Sequence, residues 1–311
     1  MSKIAFIFPG QGAQLPGMGK DFYEESQISR EIFDKGSEIS GIDLKKICFE
    51  ENELLNRTDY TQIAMTAACI AMAKEVMHLG IKPDMTAGLS LGEYPAIVCA
   101  GGMIFEDALK TVFVRGRLMH EATLDGSGVM AAILGLTGDQ VKEVTDQIDG
   151  IYVANYNCPG QVVISGRKEA MDQACEELKK AGAKRTMPLN VSGPFHSPYM
   201  DTAAAKLEEQ LKKVTWKNLE IPYVANATAQ WVTDIHKTPE LLKTQVCASV
   251  MWEQSVRNMI DWGIDIFVEI GPGKTLSRFM SRIDRKVQMY AIGSVEEMKE
   301  TVKKLEWSKE C

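Results

Sequence analysis

The chain has 311 residues and a formal net charge of −7 at pH 7, with 45% hydrophobic and 25% charged residues. This composition is ordinary for a globular protein, and the length allows one large domain or two lobes around a substantial core. The negative charge and the absence of basic runs argue against a nucleic-acid binder. No apolar run approaches the ~20 residues that a membrane helix needs.

The seven cysteines are scattered along the chain without a C-x-x-C pair. Such a distribution is typical neither of a disulfide framework nor of a zinc site. The apolar stretch at the amino terminus ends at Pro9-Gly10, which is too early for the apolar core of a secretion signal. We therefore expect buried free thiols, no bound metal, no membrane association and a cytoplasmic location.

Apolar stretches alternate with helical patterns at both ends of the chain. Residues 4–8 predict a buried strand that leads into the loop Pro9-Gly10-Gln11-Gly12, and a helical pattern follows at residues 60–79. Near the other end, residues 264–270 predict a second buried strand, followed by a helix at 274–283. This alternation favours a parallel sheet covered by helices.

The segment Gly88-Leu89-Ser90-Leu91-Gly92 has the spacing of a nucleophile elbow. In such an elbow a strand turns abruptly into a helix, and glycines two residues before and after the serine relieve the crowding. The pattern alone is weak, but residues 82–87 can form the entering strand and residues 91–100 the following helix. Ser90 is therefore the candidate nucleophile.

Arg115 interrupts an apolar stripe on the helix predicted at residues 106–123. Helical spacing places Arg115 in line with Ala108, Val112 and Met119, where the core pattern calls for an apolar side chain. A buried guanidinium requires an anionic partner, and its planar fork suits a carboxylate. That partner is either an internal carboxylate or a substrate carboxylate, and the pattern by itself favours the internal one.

The middle of the chain has a different order of predicted elements. The strands are predicted at residues 129–136, 152–157, 161–165 and 183–191. One helix begins at a capping box of Thr137 and Gln140 and ends at residue 148, and a second spans residues 168–181. The order β-α-β-β-α-β is that of a ferredoxin-like fold. We predict a small ferredoxin-like lobe of residues 126–190 inserted into a large lobe of residues 1–125 and 191–311, with a ligand cleft between them.

His196 is the best candidate base among four histidines. It lies in the loop Phe195-His196-Ser197-Pro198, where the chain returns to the large lobe, and a serine needs such a base to become nucleophilic. The order of Ser90 before His196 is that of α/β-hydrolase sites, so we expect an α/β-hydrolase-like large lobe. No aspartate is an obvious third member, and an amide or backbone carbonyl would have to hold the histidine tautomer.

Two backbone N–H groups are candidates for an oxyanion hole. One belongs to Leu91, and the other comes from the loop at residues 9–12, which could bring a backbone N–H near Ser90. Loss of one such donor typically costs about 10²–10³ in rate, so both groups have to be held rigidly.

Six ordered segments together resemble the malonyl-CoA:acyl carrier protein transacylases over nearly the whole chain. They are Phe8-Pro9-Gly10-Gln11-Gly12, Gly88-Leu89-Ser90-Leu91-Gly92-Glu93-Tyr94, Val114-Arg115-Gly116, Val153-Ala154-Asn155-Tyr156-Asn157-Cys158-Pro159-Gly160-Gln161, Phe195-His196-Ser197 and Glu269-Ile270-Gly271-Pro272-Gly273. Several matches in this order are far more specific than the elbow alone. One departure is Leu89, since the family usually has a histidine before the nucleophile, which affects the polarity of the pocket beside the elbow.

The resemblance implies a role for each catalytic position. Ser90 would carry the acyl group, and His196 would act as base. The backbone carbonyl of Gln245 would orient the histidine, so that a missing aspartate is expected. Backbone N–H groups of Gln11 and Leu91 would form the oxyanion hole.

The resemblance also implies the substrates. Arg115 would bind the free carboxylate of malonyl-CoA, Asn157 would line the carrier side of the cleft, and Phe195 would disfavour branched acyl groups. The malonyl group would pass to the phosphopantetheine thiol of an acyl carrier protein, supplying fatty-acid synthesis. CoA thioester and phosphopantetheine belong to the substrates, so no separate cofactor is expected.

Three other interpretations remain open at this point. The chain resembles free-standing acyltransferases that serve polyketide synthases. A serine thioesterase or esterase would share the elbow, base and oxyanion hole but would hold a water molecule for deacylation. A carrier-docking subunit without activity is the third, and the presence of both Ser90 and His196 argues against it.

Overall fold

The computed structural model describes residues 2–191 and 193–310, with side chains described through residue 305. Ser192, in the segment that leads to His196, and Cys311, the seventh cysteine, lie outside the described residues. The other six cysteines are free thiols, and four of them are buried.

A six-stranded sheet forms the centre of the large lobe. Its strands are β1 (Lys3–Phe8), β2 (Met85–Gly88), β7 (Tyr223–Val224), β8 (Trp231–Val232), β9 (Ile264–Ile270) and β10 (Gln288–Ile292). Their order is β10-β9-β1-β2-β7-β8, and all pairs are parallel except β7 with β8. The predicted, mostly parallel sheet of an α/β fold is confirmed.

The strand β1 is buried on both faces because helices cover both sides of the sheet at this position. Phe6 and Phe8 pack into one apolar cluster with the helices on one side, and Ala5 and Ile7 pack into another with Trp252. Burial of side chains of this size contributes roughly 1.5–3 kcal/mol each. The sheet is therefore a rigid base for the loops at the carboxyl ends of β1 and β2.

Helices cover this sheet on both sides. They are α1 (Lys20–Glu25), α2 (Gln27–Ser40), α3 (Leu44–Phe49), α4 (Thr58–His78), α5 (Glu93–Cys99), α6 (Phe105–Glu121), α9 (Asp201–Leu211), α10 (Thr238–Cys247), α11 (Trp252–Asp261), α12 (Thr275–Ile283) and α13 (Val295–Glu310). Short 3₁₀ turns occur at Leu54–Asn56, Ser90–Gly92, Pro198–Met200 and Ile235–Lys237.

The longest helix, α4, is buried around almost its whole circumference. A helix without a polar face has to be enclosed by neighbouring elements, and α4 packs against α2 and α6. No helix in the described part of the chain is long and apolar enough to cross a bilayer.

The small lobe is a separate antiparallel sheet. It contains β3 (Gly128–Leu134), β4 (Ile151–Cys158), β5 (Gln161–Arg167) and β6 (Arg185–Pro188), with α7 (Gly138–Thr145) and α8 (Lys168–Lys180). The order β4-β5-β3-β6 with all pairs antiparallel is that of the predicted ferredoxin-like fold. The capping box of Thr137 and Gln140 is present at the start of α7.

Three predicted boundaries shift for physical reasons. The strand expected at residues 82–87 begins at Met85, because Pro83 has no N–H to contribute to the sheet. The helix expected at 91–100 begins at Glu93, after one 3₁₀ turn that completes the elbow. The strand expected at 183–191 ends at Pro188, since the chain then turns to line the cleft.

The segment at Val250 joins the two lobes through the backbone. Its N–H donates to Ala154 O at 2.8 Å and its carbonyl accepts from Tyr156 N at 2.9 Å, both on β4 of the small lobe. The next residue, Met251, donates to Asn226 O at 2.9 Å in the large lobe. The small lobe is thus tied to the sheet that bears the elbow.

Candidate active site

Ser90 lies where β2 ends, in a left-handed backbone conformation with φ of 52°. Glycine is required on both sides. A Cβ on Gly88 would lie 1.9 Å from the carbonyl carbon of Gly92, and one on Gly92 would lie 2.2 Å from Phe8 O. The predicted elbow is therefore present, and its glycines allow the turn to pack against β1.

His196 meets the serine directly. Its Nε2 lies 2.8 Å from Ser90 Oγ, and its Nδ1 lies 2.8 Å from the backbone carbonyl of Gln245. A carbonyl only accepts, so Nδ1 carries the proton and Nε2 is free to accept from the serine hydroxyl. Gln245 lies in the last turn of α10, where carbonyls have no partner within the helix. This carbonyl occupies the place of the aspartate in a triad.

The environment keeps His196 neutral. Burial and, to a smaller extent, the charge of Arg115 lower the pKa of the imidazole to about 4, although the hydrogen bond to Gln245 opposes this shift. A neutral imidazole at pH 7 is the form that accepts a proton. The histidine is thus ready to act as a base without prior deprotonation.

Arg115 is 1% exposed and points from α6 toward the nucleophile. Its guanidinium donates to Gln62 Oε1 at 2.8 Å, to Gln245 Oε1 at 3.0 Å and to Ser90 Oγ at 3.2 Å. No carboxylate oxygen among the described residues lies within 4.0 Å of the Arg115 guanidinium, the distance of a salt bridge. The internal ion pair that the helical pattern alone favoured is absent there, so the buried cation has only neutral partners.

Glu93 is connected to Arg115 through the side-chain amide of Gln245. Gln245 Nε2 donates to Glu93 Oε2 at 2.8 Å and to Ser90 O at 2.8 Å, while its Oε1 accepts from Arg115. Burial raises the pKa of the Glu93 carboxyl to about 7, although hydrogen bonds from Gln245 and Asn226 and the charge of Arg115 oppose this. One glutamine side chain thus joins the cation, the nucleophile and a buried carboxyl group.

Sequence reasoning missed Gln62, Glu93 and Asn226. Each has a weak signal in the sequence, because each is polar within an apolar context: Gln62 on a buried helix, Glu93 at the start of another, and Asn226 after the short strand β7. A buried polar residue has to be hydrogen-bonded, so each of the three is expected to hold a neighbouring polar group, as Arg115 does.

The loop after β1 lies against the elbow. A Cβ on Gly10 would lie 2.5 Å from Leu89 O, so only glycine allows this approach. The N–H groups of Gln11 and Leu91 donate to no acceptor among the described residues, and both residues line the cleft. Ser90 N, in contrast, is occupied by Asn226 Oδ1 at 2.6 Å. The two predicted oxyanion donors are therefore free to bind a ligand.

A cleft of about 470 Å³ opens between the lobes in front of Ser90. The predicted residues that line it are Gln11, Ser90, Leu91, Arg115, Asn157, Phe195 and His196, and Leu89 is also among its wall residues. From the small lobe, Asn155 and Asn157 face it together because they are two residues apart on β4. Asn157 Oδ1 is buried and has no hydrogen-bond partner among the described residues.

A second cavity of about 250 Å³ continues from the cleft along α12. It shares Thr275 and Phe279 with the cleft and is otherwise lined by Gln161, Arg278 and Arg282. Two arginines one helical turn apart make this extension positively charged. This extension of the cleft therefore favours binding of an anionic group.

All eight predicted site residues come together here, with Gln245 behind His196 and the other seven at the cleft. A strained serine, a neutral histidine hydrogen-bonded to it and a buried arginine beside both define a serine-nucleophile site for acyl transfer. The α/β sheet with an inserted ferredoxin-like lobe is the scaffold of that site.

The chain belongs to the acyl transferase domain family, whose model matches residues 5–306. It is 43% identical over 301 residues to a malonyl CoA-acyl carrier protein transacylase of Bacillus subtilis, covering 95% of each chain. A solved malonyl CoA-acyl carrier protein transacylase of Clostridium perfringens superposes with a TM-score of 0.95 at 39% identity, covering 99% of this chain and 98% of that one.

A third relative was solved with a partner. It is a malonyl-transacylase in complex with a type II PKS acyl-carrier protein, and it superposes with a TM-score of 0.94 at 34% identity, covering 97% of this chain and all of that one. Coverage is nearly complete in all three comparisons, so the similarity includes both lobes.

Proposed function

We propose that this protein transfers a malonyl group from malonyl-CoA to the phosphopantetheine thiol of an acyl carrier protein, through a malonyl ester on Ser90. The observation that carries this proposal is the buried guanidinium of Arg115, which has only neutral partners and lies 3.2 Å from the nucleophile. A buried cation is costly without an anion, and the free carboxylate of malonyl-CoA supplies one. The names of the relatives agree with this substrate.

Acylation begins with the malonyl carboxylate on Arg115 and the thioester carbonyl in front of Ser90. His196 Nε2 takes the proton of the serine hydroxyl while Oγ attacks the carbonyl carbon. The backbone N–H groups of Gln11 and Leu91 stabilise the oxyanion of the tetrahedral intermediate. The C–S bond then breaks, and His196 returns the proton to the sulfur of CoA.

Deacylation runs through the same groups in reverse. The thiol of the carrier's phosphopantetheine gives its proton to His196, and its sulfur attacks the ester carbonyl of malonyl-Ser90. The tetrahedral intermediate collapses, the C–O bond to Ser90 breaks, and the hydroxyl regains the proton. Since thioester becomes ester and then thioester again, this chemistry requires no metal and no redox cofactor.

Malonyl-CoA and the malonyl carrier protein carry the same pantetheine arm, and the polar and charged groups of the cleft are complementary to this arm. The arm's amides are neutral, and the unpartnered Oδ1 of Asn157 is placed to accept an N–H from them. The arm ends in phosphate, and the cavity with Arg278 and Arg282 supplies positive charge next to the cleft. Phe195, 5% exposed at the cleft, restricts the volume beside the acyl group.

We place the enzyme in the cytoplasm and in fatty-acid synthesis. A second candidate is supply of a polyketide carrier, which the complex of the third relative favours. The two carriers present the same thiol, so transfer to each isolated carrier protein distinguishes the pathways.

Intact-protein mass spectrometry after brief mixing with malonyl-CoA tests the proposed function. We expect a malonyl adduct on Ser90 that persists in buffer and moves to added holo carrier protein. An adduct that hydrolyses as fast as it forms would identify a thioesterase instead. Absence of any adduct from malonyl-CoA would refute the proposal.

A further inference from the structure

Asn226 holds the two ends of the nucleophile elbow with one side chain. Its Oδ1 accepts from Ser90 N at 2.6 Å, and its Nδ2 donates to Gly88 O at 2.6 Å. The orientation of the amide is unambiguous, since a backbone N–H only donates and a carbonyl only accepts. The asparagine is fully buried. It therefore closes a ring of hydrogen bonds around Leu89.

The backbone N–H of Ser90 and the carbonyl of Gly88 need a side-chain partner because they lie between two regular elements. Gly88 is the last residue of β2, and Ser90 opens the 3₁₀ turn that precedes α5. Neither the sheet nor the helix supplies a partner for these two groups, and buried groups of this kind have to be paired. A non-glycine residue with positive φ also costs about 1–2 kcal/mol, which surrounding contacts have to offset.

Asn226 is itself fixed from two directions. Its N–H donates to Glu93 Oε2 at 3.1 Å, in the first turn of α5, and its carbonyl accepts from Met251 N at 2.9 Å. Met251 follows the Val250 segment that joins the two lobes. Asn226 thus connects the elbow by hydrogen bonds to the following helix, α5, and to the segment that contacts the small lobe across the cleft.

We propose that Asn226 is a positioning residue that holds Ser90 in its reactive conformation through both atoms of its side-chain amide. The inference rests on the proposed acyl transfer and goes beyond it. Asn226 is not among the described residues that line the cleft, and the ring nitrogens of His196 are hydrogen-bonded to Ser90 and Gln245 instead. Asn226 aims Ser90 Oγ at His196 Nε2, and by occupying Ser90 N it leaves Leu91 N–H as the donor that the elbow offers to the oxyanion.

The variant Asn226→Asp tests this with almost no change in shape. The carboxylate still accepts from Ser90 N but presents a second oxygen to Gly88 O, so one half of the clamp becomes repulsive. Protonation turns that oxygen into a donor and restores the contact. Burial and the neighbouring Glu93 carboxyl raise the pKa of such a carboxyl group, so the restoration occurs at mildly acidic pH.

Asn52→Asp is the matched control. Asn52 makes the same kind of clamp in another loop, where its Oδ1 accepts from Leu55 N at 3.0 Å and its Nδ2 donates to Ile47 O at 3.0 Å. Glu93, Tyr94, Arg115, His196 and Tyr223 are the titratable or charged groups around the elbow. Division of each rate by the wild-type rate at the same pH removes the part of their titration that the two proteins share.

The measurement is the rate of malonyl-Ser90 formation in rapid-quench experiments from pH 8 to pH 5.5. For Asn226→Asp at pH 8 we expect acylation about 10²-fold slower than wild type, as for a small misplacement of a reacting group. The apparent Kd of malonyl-CoA should stay within about threefold, because Arg115 is held by other partners. The ratio to wild type should rise as the pH falls, and Asn52→Asp should show neither effect.

Two results would overturn the inference. One is wild-type acylation by Asn226→Asp at pH 8, and the other is a slower rate that does not recover at low pH. Should Asn226→Asp fail to fold, Asn226→Ser takes its place, and a rate within about threefold of wild type would then refute the inference. A wild-type protein that forms no adduct would refute the proposed function instead, so the two failures are distinguishable.

Discussion

The two lobes contribute unlike surfaces to the cleft. The large lobe supplies Ser90, His196 and Arg115. Ser90 is hydrogen-bonded directly to the other two, and Gln245 contacts both His196 and Arg115. Among the described small-lobe residues that line the cleft, such as Met130 and Asn157, none is titratable. The difference fits the proposed function, in which the large lobe performs bond making and charge recognition and the inserted lobe provides a neutral wall for the pantetheine arm.

The largest effect should follow from removing the base on the large lobe. His196→Ala leaves Ser90 without a proton acceptor, and we expect acylation by malonyl-CoA to fall by at least about 10³-fold in rapid-quench kinetics. His236→Ala is the control, since that histidine is exposed on a short turn. Loss of less than tenfold in His196→Ala would contradict the assignment of the base.

Arg115→Ala should separate charge recognition from bond making. In the proposed function the buried guanidinium makes charge-assisted hydrogen bonds to the malonyl carboxylate, so we expect malonyl transfer to fall by about 10²-fold while acetyl transfer is retained or increases. Steady-state kinetics with both donors measures this change. Arg117→Ala, an exposed arginine on the same helix, serves as control. Equal loss with both donors would refute the role of Arg115.

The pH dependence of acylation tests the electrostatics of the large lobe. Burial and Arg115 lower the pKa of His196 to about 4, so the imidazole is unprotonated throughout the range from pH 7 to pH 5. Acylation by malonyl-CoA should not show the roughly tenfold loss at pH 5.5 that a histidine with an ordinary pKa near 6.5 would produce. A rate that declines with a midpoint near pH 6.5 would show that the base is not this buried histidine.

The small lobe should affect binding rather than turnover. Asn157→Ala removes one neutral acceptor from the wall of the cleft, and a hydrogen bond of this kind contributes roughly 0.5–1.5 kcal/mol. We expect the KM of malonyl-CoA to rise about three- to tenfold with kcat nearly unchanged. Asn258→Ala, outside the cleft lining, is the matched control. A fall in kcat without a change in KM would break the proposed division between the lobes.

The smallest expected effect concerns stability rather than activity. Burial raises the pKa of Glu93 to about 7, so between pH 4.5 and pH 7 the folded protein binds a proton more readily than the unfolded chain does. Binding of this proton stabilises the folded state below pH 4.5. The stabilisation is lost progressively as the pH rises from 4.5 through 7, so the free energy of unfolding falls over that range. Glu93→Gln should be more stable relative to wild type at pH 8 than at pH 5, by up to roughly 3 kcal/mol.

Denaturant unfolding of wild type and Glu93→Gln at both pH values measures this difference. His196 has the opposite sign, since its lowered pKa makes the folded state less able to bind a proton between pH 4 and pH 6.5. Its contribution cancels in the comparison because both proteins contain it. A stability difference that does not change with pH would contradict the buried position of the carboxyl group.

The sequence predicted those features that local patterns encode. The spacing of Gly88, Ser90 and Gly92 predicts the elbow, and the β-α-β-β-α-β order predicts the small lobe. The roles of Gln245 and Asn157 came only from the resemblance to a family, because nothing local marks a glutamine whose carbonyl will meet a histidine 49 residues away. Contacts of this range depend on tertiary packing.

The residues that sequence reasoning missed share one property. Asn226 lies 136 positions from Ser90 and Gln62 lies 53 positions from Arg115, and each forms its contact only when the sheet and the helices around it have assembled. The partner of Arg115 shows the same limit. The helical stripe correctly predicts a buried guanidinium but cannot tell whether an internal carboxylate lies opposite it.

A crystal structure of the malonyl-enzyme, prepared by soaking with malonyl-CoA, would show where the malonyl carboxylate binds. We expect an ester on Ser90 Oγ, with the malonyl carboxylate accepting hydrogen bonds from the guanidinium of Arg115. The ester carbonyl oxygen should lie within hydrogen-bond distance of Gln11 N and Leu91 N. A malonyl carboxylate directed toward the small lobe or solvent, with Arg115 bound only to Gln62 and Gln245, would refute the proposed role of Arg115.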